Sequence, residues 1–268
     1  MIVPKELAAA RLRIAMDRPY MASALWALVP VEKPGLGTFA VDQYWRLYYD
    51  PEAAKRWGLR GTSTVLMHEM WHLLRDHMTR AKQMGTINYS LQNVVADMEI
   101  NDDLEGEGFE LPDDPPTPKK YGFPEGRLWE EYYQMFCKCS KKGKGSKDKK
   151  GSSGGKGKKG SSGGKGDKGD SKGDGGSDDQ SGSGSGGRTI TMEDLKKGKL
   201  PDDFCPAHDK IVLKGGQNCG SGAHGNPQDW ELPAPSGTGE NHGISKAEAE
   251  LIRRDTAKRI TDHCRSQG

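Results

Sequence analysis

The clearest hydrophobic pattern in the chain lies between about Ser90 and Leu104. Apolar residues recur there at positions i, i+3, i+4 and i+7, the spacing that places side chains on one buried face of a helix. These residues are Leu91, Val94, Val95 and Met98. A second apolar segment predicts a helix from about Thr62, which can cap it, to Arg80. We therefore expect two central helices.

The N-terminal part of the chain shows weaker patterns. Residues 4–28 predict helix, with a break near Pro19. Prolines and glycines then predict a loop over residues 30–37. The next segment, Thr38–Tyr49, is rich in β-branched and aromatic residues, which predicts a strand or a hairpin ended by Asp50 and Pro51.

Two more helices are predicted in the second half. A short amphipathic one covers about Arg127–Phe136, and the last covers about residues 245–263. Ser245 is followed three residues later by Glu248, the pattern of a capping box. The elements together predict an α+β fold that is mainly helical and carries a small β-sheet.

A glycine-rich segment separates the two halves. Between Ser140 and Gly187 the chain holds 18 of its 37 glycines and no aliphatic or aromatic residue. Such a segment cannot bury enough apolar surface to offset the entropy of ordering, so we expect it to be disordered. The predicted organisation is a first domain over residues 1–136, a disordered linker over 137–189 and a C-terminal segment over 190–268. We expect that segment to pack on the first domain.

Charge is distributed unevenly along the chain. The whole sequence carries +2, but residues 138–188 contain 13 Lys and one Arg against six Asp, which leaves the rest of the chain at −6. The basic character therefore belongs to the linker, and it comes without the aromatic residues that stack on bases. We expect no specific nucleic-acid partner.

No segment reaches the ~18 apolar residues of a membrane span. The N-terminus carries charges where a signal peptide has an apolar stretch, so we expect a cytoplasmic protein with no membrane partner. Five cysteines, an odd number, do not look like a secreted disulfide framework.

The strongest chemical signal is the H-E-x-x-H motif from His68 to His72. Histidines at i and i+4 project from one helix face, so both Nε2 atoms can reach one Zn²⁺. Glu69 would lie beside the coordination place left for water, where it can accept a proton and later pass it to the leaving amine. The motif predicts a zinc hydrolase.

The third ligand is less certain from the residues alone. His77 follows His68 by nine residues, about half a turn away on a continuous helix, which favours a helix-end or supporting role. The downstream helix offers Glu99, with Asp103 four residues later, and Asp97, with Asn101 four residues later. We prefer Asp97 because Ala96 would allow close helix approach, and because Asn93 and Asn101 extend a polar seam on its side of the helix.

The order of these motifs resembles a known family. RLYYDP, HEMWHLLRDHMTR, NVVADMEIN, GFPEG and EEYY occur in turn, followed after the linker by WELP and SKAEAELIRRDTA. This order is similar to the putative metallopeptidase family of bacteria and phages, whose members often carry a von Willebrand A-like domain after this region. Related chains usually continue further, so we expect either a shortened member or one whose remainder is a separate chain.

The resemblance implies a zinc-dependent hydrolase that acts on a peptide or protein substrate. It supports Asp97 as the metal ligand, because this residue holds the Asp position of the A-D-x-E-I-N stretch. It also implies a von Willebrand A-like or ATPase partner. An edge strand beside the motif helix is typical of zincins, and Tyr44–Tyr49 could pair with substrate backbone there. Plain sheet packing is the alternative for these residues.

Cysteines and histidines near the C-terminus are the remaining candidates. Cys205, His208, Cys219 and His224 could bind a second Zn²⁺, with help from Cys137 and Cys139. Their irregular spacing contains no CxxC pair, so we interpret the cysteines as loop thiols.

The sequence therefore predicts a zincin-like metallopeptidase with Zn²⁺ held by His68, His72 and Asp97, and with Glu69 as general base and acid. Two alternatives stay open. One is a non-catalytic, metal-stabilised adaptor, and the other is a zinc hydrolase of a non-peptide amide. The sequence offers no candidate for the oxyanion-stabilising group.

Overall fold

The computed structural model describes residues 5–85, 88–139, 189–191, 194, 210–212, 218–235 and 243–267. All of them belong to one unit formed by residues 1–143 and 187–268. The predicted disordered linker, apart from its ends, lies outside the described residues. Among those that are described, no helix is both long and apolar enough to cross a membrane.

The described fold is mainly helical, as predicted, with a small mixed sheet. Its elements before the linker are α1 (Lys5–Asp17), α2 (Ala22–Ala27), β1 (Val29–Glu32), β2 (Phe39–Val41), β3 (Arg46–Tyr49), α3 (Pro51–Leu74), α4 (His77–Met84), α5 (Tyr89–Gly106) and α6 (Trp129–Cys139). Those after it are β4 (Thr189–Thr191), β5 (Lys210–Val212), α7 (Ser221–His224) and α8 (Lys246–Gln267). β4 and β5 form a separate parallel pair.

The first sheet has the strand order β1-β3-β2, with β1 parallel and β2 antiparallel to β3. The predicted strand region over 38–49 is thus a hairpin. The prediction of a loop at residues 30–37 was partly wrong, because β1 contains Pro30. Proline lacks a backbone N–H, and an edge strand such as β1 tolerates that loss.

Helix α3 begins earlier than predicted and also ends earlier. Asp50 caps it by accepting from the Glu52 N–H at 3.0 Å, and Pro51 occupies the first helical position. Gly58, with φ of +61°, kinks it. The predicted continuation to Arg80 was wrong, because Asp76 adopts a left-handed conformation with φ of +51° and starts the separate helix α4.

Helix α5 connects two hydrophobic clusters. Its N-terminal half buries the predicted apolar stripe in a cluster with α6, while Ile100 and Leu104 join the larger core of α1, α2, α3 and the sheet. This packing fixes α5 beside α3.

The C-terminal helix α8 lies against the N-terminal part of the fold. The capping box is confirmed, since the Ser245 N–H donates to Glu248 at 2.8 Å and the Glu248 N–H donates to Ser245 Oγ at 3.2 Å. Arg253 Nε donates to the Leu73 carbonyl at 2.7 Å, and its guanidinium pairs with Asp76. This contact holds α8 at the end of α3.

A buried ion pair joins the sheet to the segment before α8. Arg46 Nε donates to Asp42 Oδ2 at 2.5 Å, and Tyr48 Oη donates to the same oxygen at 2.9 Å. The two remaining guanidinium nitrogens donate to the carbonyls of Leu232 and Pro233 at 2.8 and 2.9 Å. One arginine therefore fastens residues 232–233 to β3.

We expect Arg46→Met to lower the free energy of unfolding by about 3–5 kcal/mol, because it leaves a buried carboxylate without its cation. Urea unfolding followed by circular dichroism measures this. The matched control is Arg254→Met, whose side chain is 75% exposed in its pair with Glu250 and should change stability by less than about 1 kcal/mol. Equal losses in the two variants would contradict the role of the buried pair.

Candidate metal centre

The two motif histidines face one point. His68 and His72 are buried in α3, and their Nε2 atoms lie 3.0 Å apart, as the i, i+4 spacing predicts. Glu69 is also buried, with 1% of its surface exposed, and its Oε2 atom has no hydrogen-bond partner among the described residues.

Asp97 approaches the same point from α5. Its Oδ1 atom is 3.2 Å from His72 Nε2 and 3.5 Å from His68 Nε2. Asn93 Nδ2 donates to the other carboxylate oxygen at 3.1 Å, which orients the group. The reason offered from Ala96 was wrong, because Ala96 packs in the α5–α6 cluster. The polar seam is what faces α3.

Glu99, the rival carboxylate, has other partners. It pairs with Arg75 at 3.0 Å and Arg80 at 3.3 Å, and it accepts from the Trp129 N–H at 2.8 Å. The structure thus brings Asp97 rather than Glu99 to the two Nε2 atoms.

Cys219 supplies a fourth donor that the sequence analysis missed. Its sulfur lies 3.4 Å from His68 Nε2 and 3.5 Å from Asp97 Oδ1. Cys219 is a free thiol in a loop, as the sequence analysis expected, but it is buried beside the two histidines. No spacing rule could reveal it, because Cys219 lies 122 positions from Asp97, across the linker.

Of the other C-terminal candidates, His224 is the one that lies among the described residues, and it does not join this cluster. His224 Nε2 contacts Asn218 Oδ1 at 3.0 Å, and its Nδ1 accepts from the Asn226 N–H. His224 therefore supports the turn that precedes Cys219. Cys205 and His208 lie outside the described residues.

Hydrogen bonds determine the orientation and the tautomer of His68. Asn101 Nδ2 donates to the Pro116 carbonyl at 2.8 Å, so its Oδ1 is turned to accept from His68 Nδ1 at 2.9 Å. A neutral His68 with the proton on Nδ1 presents an unprotonated Nε2 to the cluster. This is the arrangement by which proteins orient a metal-binding imidazole.

His77 plays the corresponding part for His72. The break at Asp76 turns His77 back, so its Nδ1 lies 3.0 Å from His72 Nδ1 while its Nε2 faces Glu99 at 3.7 Å. Burial lowers the pKa of His77, and burial lowers the pKa of His72 to about 3. The expectation of a supporting role for His77 agrees with this placement.

In the matching tautomers, His77 carries its proton on Nε2, toward the Glu99 carboxylate, and accepts from His72 Nδ1–H. His72 Nε2 is then also unprotonated. In the metal-free chain, burial acts to raise the pKa of Asp97, but hydrogen bonds from His68 and His72 outweigh it and lower that pKa to about 2. Those hydrogen bonds need a proton on Nε2, which a bound cation displaces. The cluster therefore brings the lone pairs of two imidazole nitrogens close to the negative charge of Asp97.

This arrangement fits a divalent cation. The described residues offer one group of four donors, His68, His72, Asp97 and Cys219, whose ligand atoms all lie within 4.8 Å of one another. A tetrahedral ion with bonds of about 2.0–2.3 Å separates its ligand atoms by about 3.3–3.6 Å. The donor separations given above run from 3.0 to 3.5 Å. Nitrogen, carboxylate and thiolate donors also suit such an ion chemically.

A cleft gives access to three of the four donors, all except His72. A cavity of about 320 Å³ is lined by His68, Glu69, Asp97 and Cys219, and on its outer side by Trp57 and Arg56. Burial, and then the nearby Asp97 charge, raise the pKa of Glu69 well above its ordinary value.

β3 is the central strand of the sheet, and β1 and β2 are its two edges. The idea that Tyr44–Tyr49 forms an edge was therefore wrong, and plain packing explains the four buried residues of β3. The Val41 N–H of β2 donates to the Cys219 carbonyl at 2.9 Å.

Comparisons with known proteins agree with the resemblance. A family model described as "Putative metallopeptidase domain" matches residues 3–268. No curated protein and no solved structure matches the chain.

The four-donor cluster predicts which carboxylate of α5 is needed for metal. Asp97→Asn should lose most of the bound metal after dialysis, because it replaces a charged donor by a weak one. Glu99→Gln, two residues away, should keep it. Metal per chain, measured by inductively coupled plasma mass spectrometry on folded protein, distinguishes them. Loss of metal in the Glu99 variant alone would contradict the assignment of Asp97 as the ligand.

The His72–His77 contact predicts a second effect. His77→Gln should weaken metal affinity by about 10–100-fold without abolishing binding, because the change removes a partner that orients His72. Competition with a chromophoric chelator measures the affinity. His263→Gln, on the exposed side of α8, serves as the control. An affinity equal to that of the control would contradict the orienting role.

Proposed function

The chain belongs to the putative metallopeptidase domain family, and we propose that it is a zinc-dependent peptidase of zincin-like fold. Zinc would be held by His68, His72 and Asp97. The observation that carries the proposal is the convergence of two imidazole Nε2 nitrogens and one carboxylate beside a buried glutamate.

The zincin-like description rests on how the elements are arranged. One helix carries H-E-x-x-H, a downstream helix supplies the acidic ligand, and a mixed sheet presents its edge strand β2 near the site. The N–H of Val41 lies on that edge. A peptide substrate extended along β2 would find a backbone donor there, as in recognition by strand addition.

Zinc, when bound, supplies Lewis acidity that polarises a carbonyl and lowers the pKa of water toward neutrality. The remaining chemistry falls to Glu69, whose Oε2 atom has no partner in the part of the chain that the structure describes. Its carboxylate would accept a proton from the attacking water and deliver it to the leaving amine. Asn101 and His77 would hold the imidazoles in place through their Nδ1 atoms.

Two further parts of the proposal have other grounds. A von Willebrand A-like or ATPase partner rests on the family resemblance, and a location in the cytoplasm rests on the charged N-terminus. Neither enters the argument for the chemistry of the site.

One observation favours a second candidate function. Structural zinc sites use four protein ligands, whereas catalytic sites keep one place for water. Cys219 completes a set of four. A metal-stabilised adaptor without hydrolytic activity would need such a closed set, and it would not need Glu69 as a base.

Glu69→Gln tests the peptidase proposal. The change should reduce cleavage of a pool of quenched fluorescent peptides by about 100-fold or more, because it removes the proton acceptor while leaving the metal ligands intact. Bound zinc should stay unchanged. Glu250→Gln, in an exposed pair on α8, is the matched control.

The comparison is made twice, in the otherwise natural chain and in a Cys219→Ala background. Equal turnover with and without Glu69 in both backgrounds would show that this site does not hydrolyse peptides. The adaptor candidate predicts that equality, together with unfolding of His68→Ala.

A further inference from the structure

We infer that Cys219 is a displaceable fourth ligand that holds the metal centre in a latent state. The inference rests on the proposed function and adds its regulation. The thiol sulfur lies 3.4 Å from His68 Nε2 and 3.5 Å from Asp97 Oδ1, which are the separations of two neighbouring ligands on one tetrahedral ion.

The sulfur also occupies the place that hydrolysis requires for water. Cys219 lines the same cavity as the Glu69 carboxylate, and its thiol lies within 3.5 Å of the His68 and Asp97 ligand atoms. A water that Glu69 deprotonates must sit between this carboxylate and the metal ligands. The thiol of Cys219 is in that position, so attack on a substrate requires its departure.

The backbone of Cys219 occupies the edge of β2 along which a peptide substrate is proposed to bind. The Cys219 carbonyl accepts from the Val41 N–H of β2 at 2.9 Å, and the Cys219 N–H donates to Asn93 Oδ1 at 3.2 Å. A peptide extended along β2 would compete for the Val41 N–H. The segment therefore lies where the proposed substrate would lie.

This segment is built into the fold. Gly220 has φ of +80°, and a Cβ atom there would come within 2.4 Å of the Val41 carbonyl oxygen. The N–H and hydroxyl of Ser221 both donate to the Glu231 carboxylate at 2.7 Å. With the backbone fixed in this way, the smallest motion that frees the coordination place is rotation of the Cys219 side chain about its Cα–Cβ bond.

The cavity beside Cys219 has space for the rotated side chain. Cys219 and Asn218 line the 320 Å³ cavity together with Trp57 and Thr38. A sulfur rotated toward the cavity leaves three protein ligands, the number that a catalytic site keeps. Rotation of this one side chain frees the coordination place, and a substrate extended along β2 must in addition displace the Cys219 carbonyl from the Val41 N–H.

Cobalt substitution tests the ligand directly. Protein loaded with Co²⁺ should show a thiolate-to-cobalt charge-transfer band in the near ultraviolet. Cys219→Ala should lose that band yet keep one Co²⁺ per chain. Cys264→Ala, which alters an exposed cysteine on α8, should keep both. A band that persists in Cys219→Ala would overturn the assignment of the ligand.

Activity tests the latent state separately. Cys219→Ala loaded with zinc should cleave the fluorescent peptide pool at least about tenfold faster than the natural chain, because three ligands leave a place for water. If Cys219→Ala loses the metal, or keeps it without gaining activity, the thiol is a permanent structural ligand and the latent state is refuted.

Two further measurements keep these outcomes distinct. X-ray absorption at the zinc edge of the unmutated protein should find one sulfur at about 2.3 Å, which tests ligation even if the alanine variant fails to fold. Absence of that sulfur refutes the inference. Cleavage in Cys219→Ala that survives the added Glu69→Gln change refutes the proposed function instead, while the cobalt band still decides the ligand.

Discussion

The metal centre depends on one electrostatic constraint. His68, His72 and Asp97 direct two imidazole nitrogens and a carboxylate oxygen at a common point, with separations of 3.0–3.5 Å. Groups that carry lone pairs and negative charge repel each other in a buried site unless a cation lies among them. The packing of α3 against α5 creates this point. The metal would therefore stabilise the same helix pair that positions its ligands.

Side chains behind the three ligands fix the direction in which each ligand atom points. Asn101 and His77 set the tautomers of the two imidazoles, and Asn93 orients Asp97. Asn93 also accepts from the Cys219 N–H, so one side chain of α5 organises both the acidic ligand and the segment that carries the thiol. The break at Asp76 is essential here, because it brings His77 behind His72.

The sequence predicts features that depend on neighbouring residues in the chain, but not contacts that form only when distant segments pack together. H-E-x-x-H on a helix determines that two imidazoles share a face, whatever surrounds them. The choice between Asp97 and Glu99 depends on which side of α5 meets α3, and the apolar stripe lies between the two. Strand β1 was missed because Pro30 indicates a loop unless the strand is at an edge. Cys219 could not be placed at all, because only the tertiary fold joins it to residues 122 positions away.

Anomalous diffraction from crystals of the zinc-loaded protein, recorded at the zinc absorption edge, tests directly whether a metal ion lies among the four donors. We expect one strong peak enclosed by His68 Nε2, His72 Nε2, Asp97 Oδ1 and Cys219 Sγ. An anomalous map without a peak at that point, or with its zinc peak at other residues, would contradict the metal centre and the chemistry proposed for it.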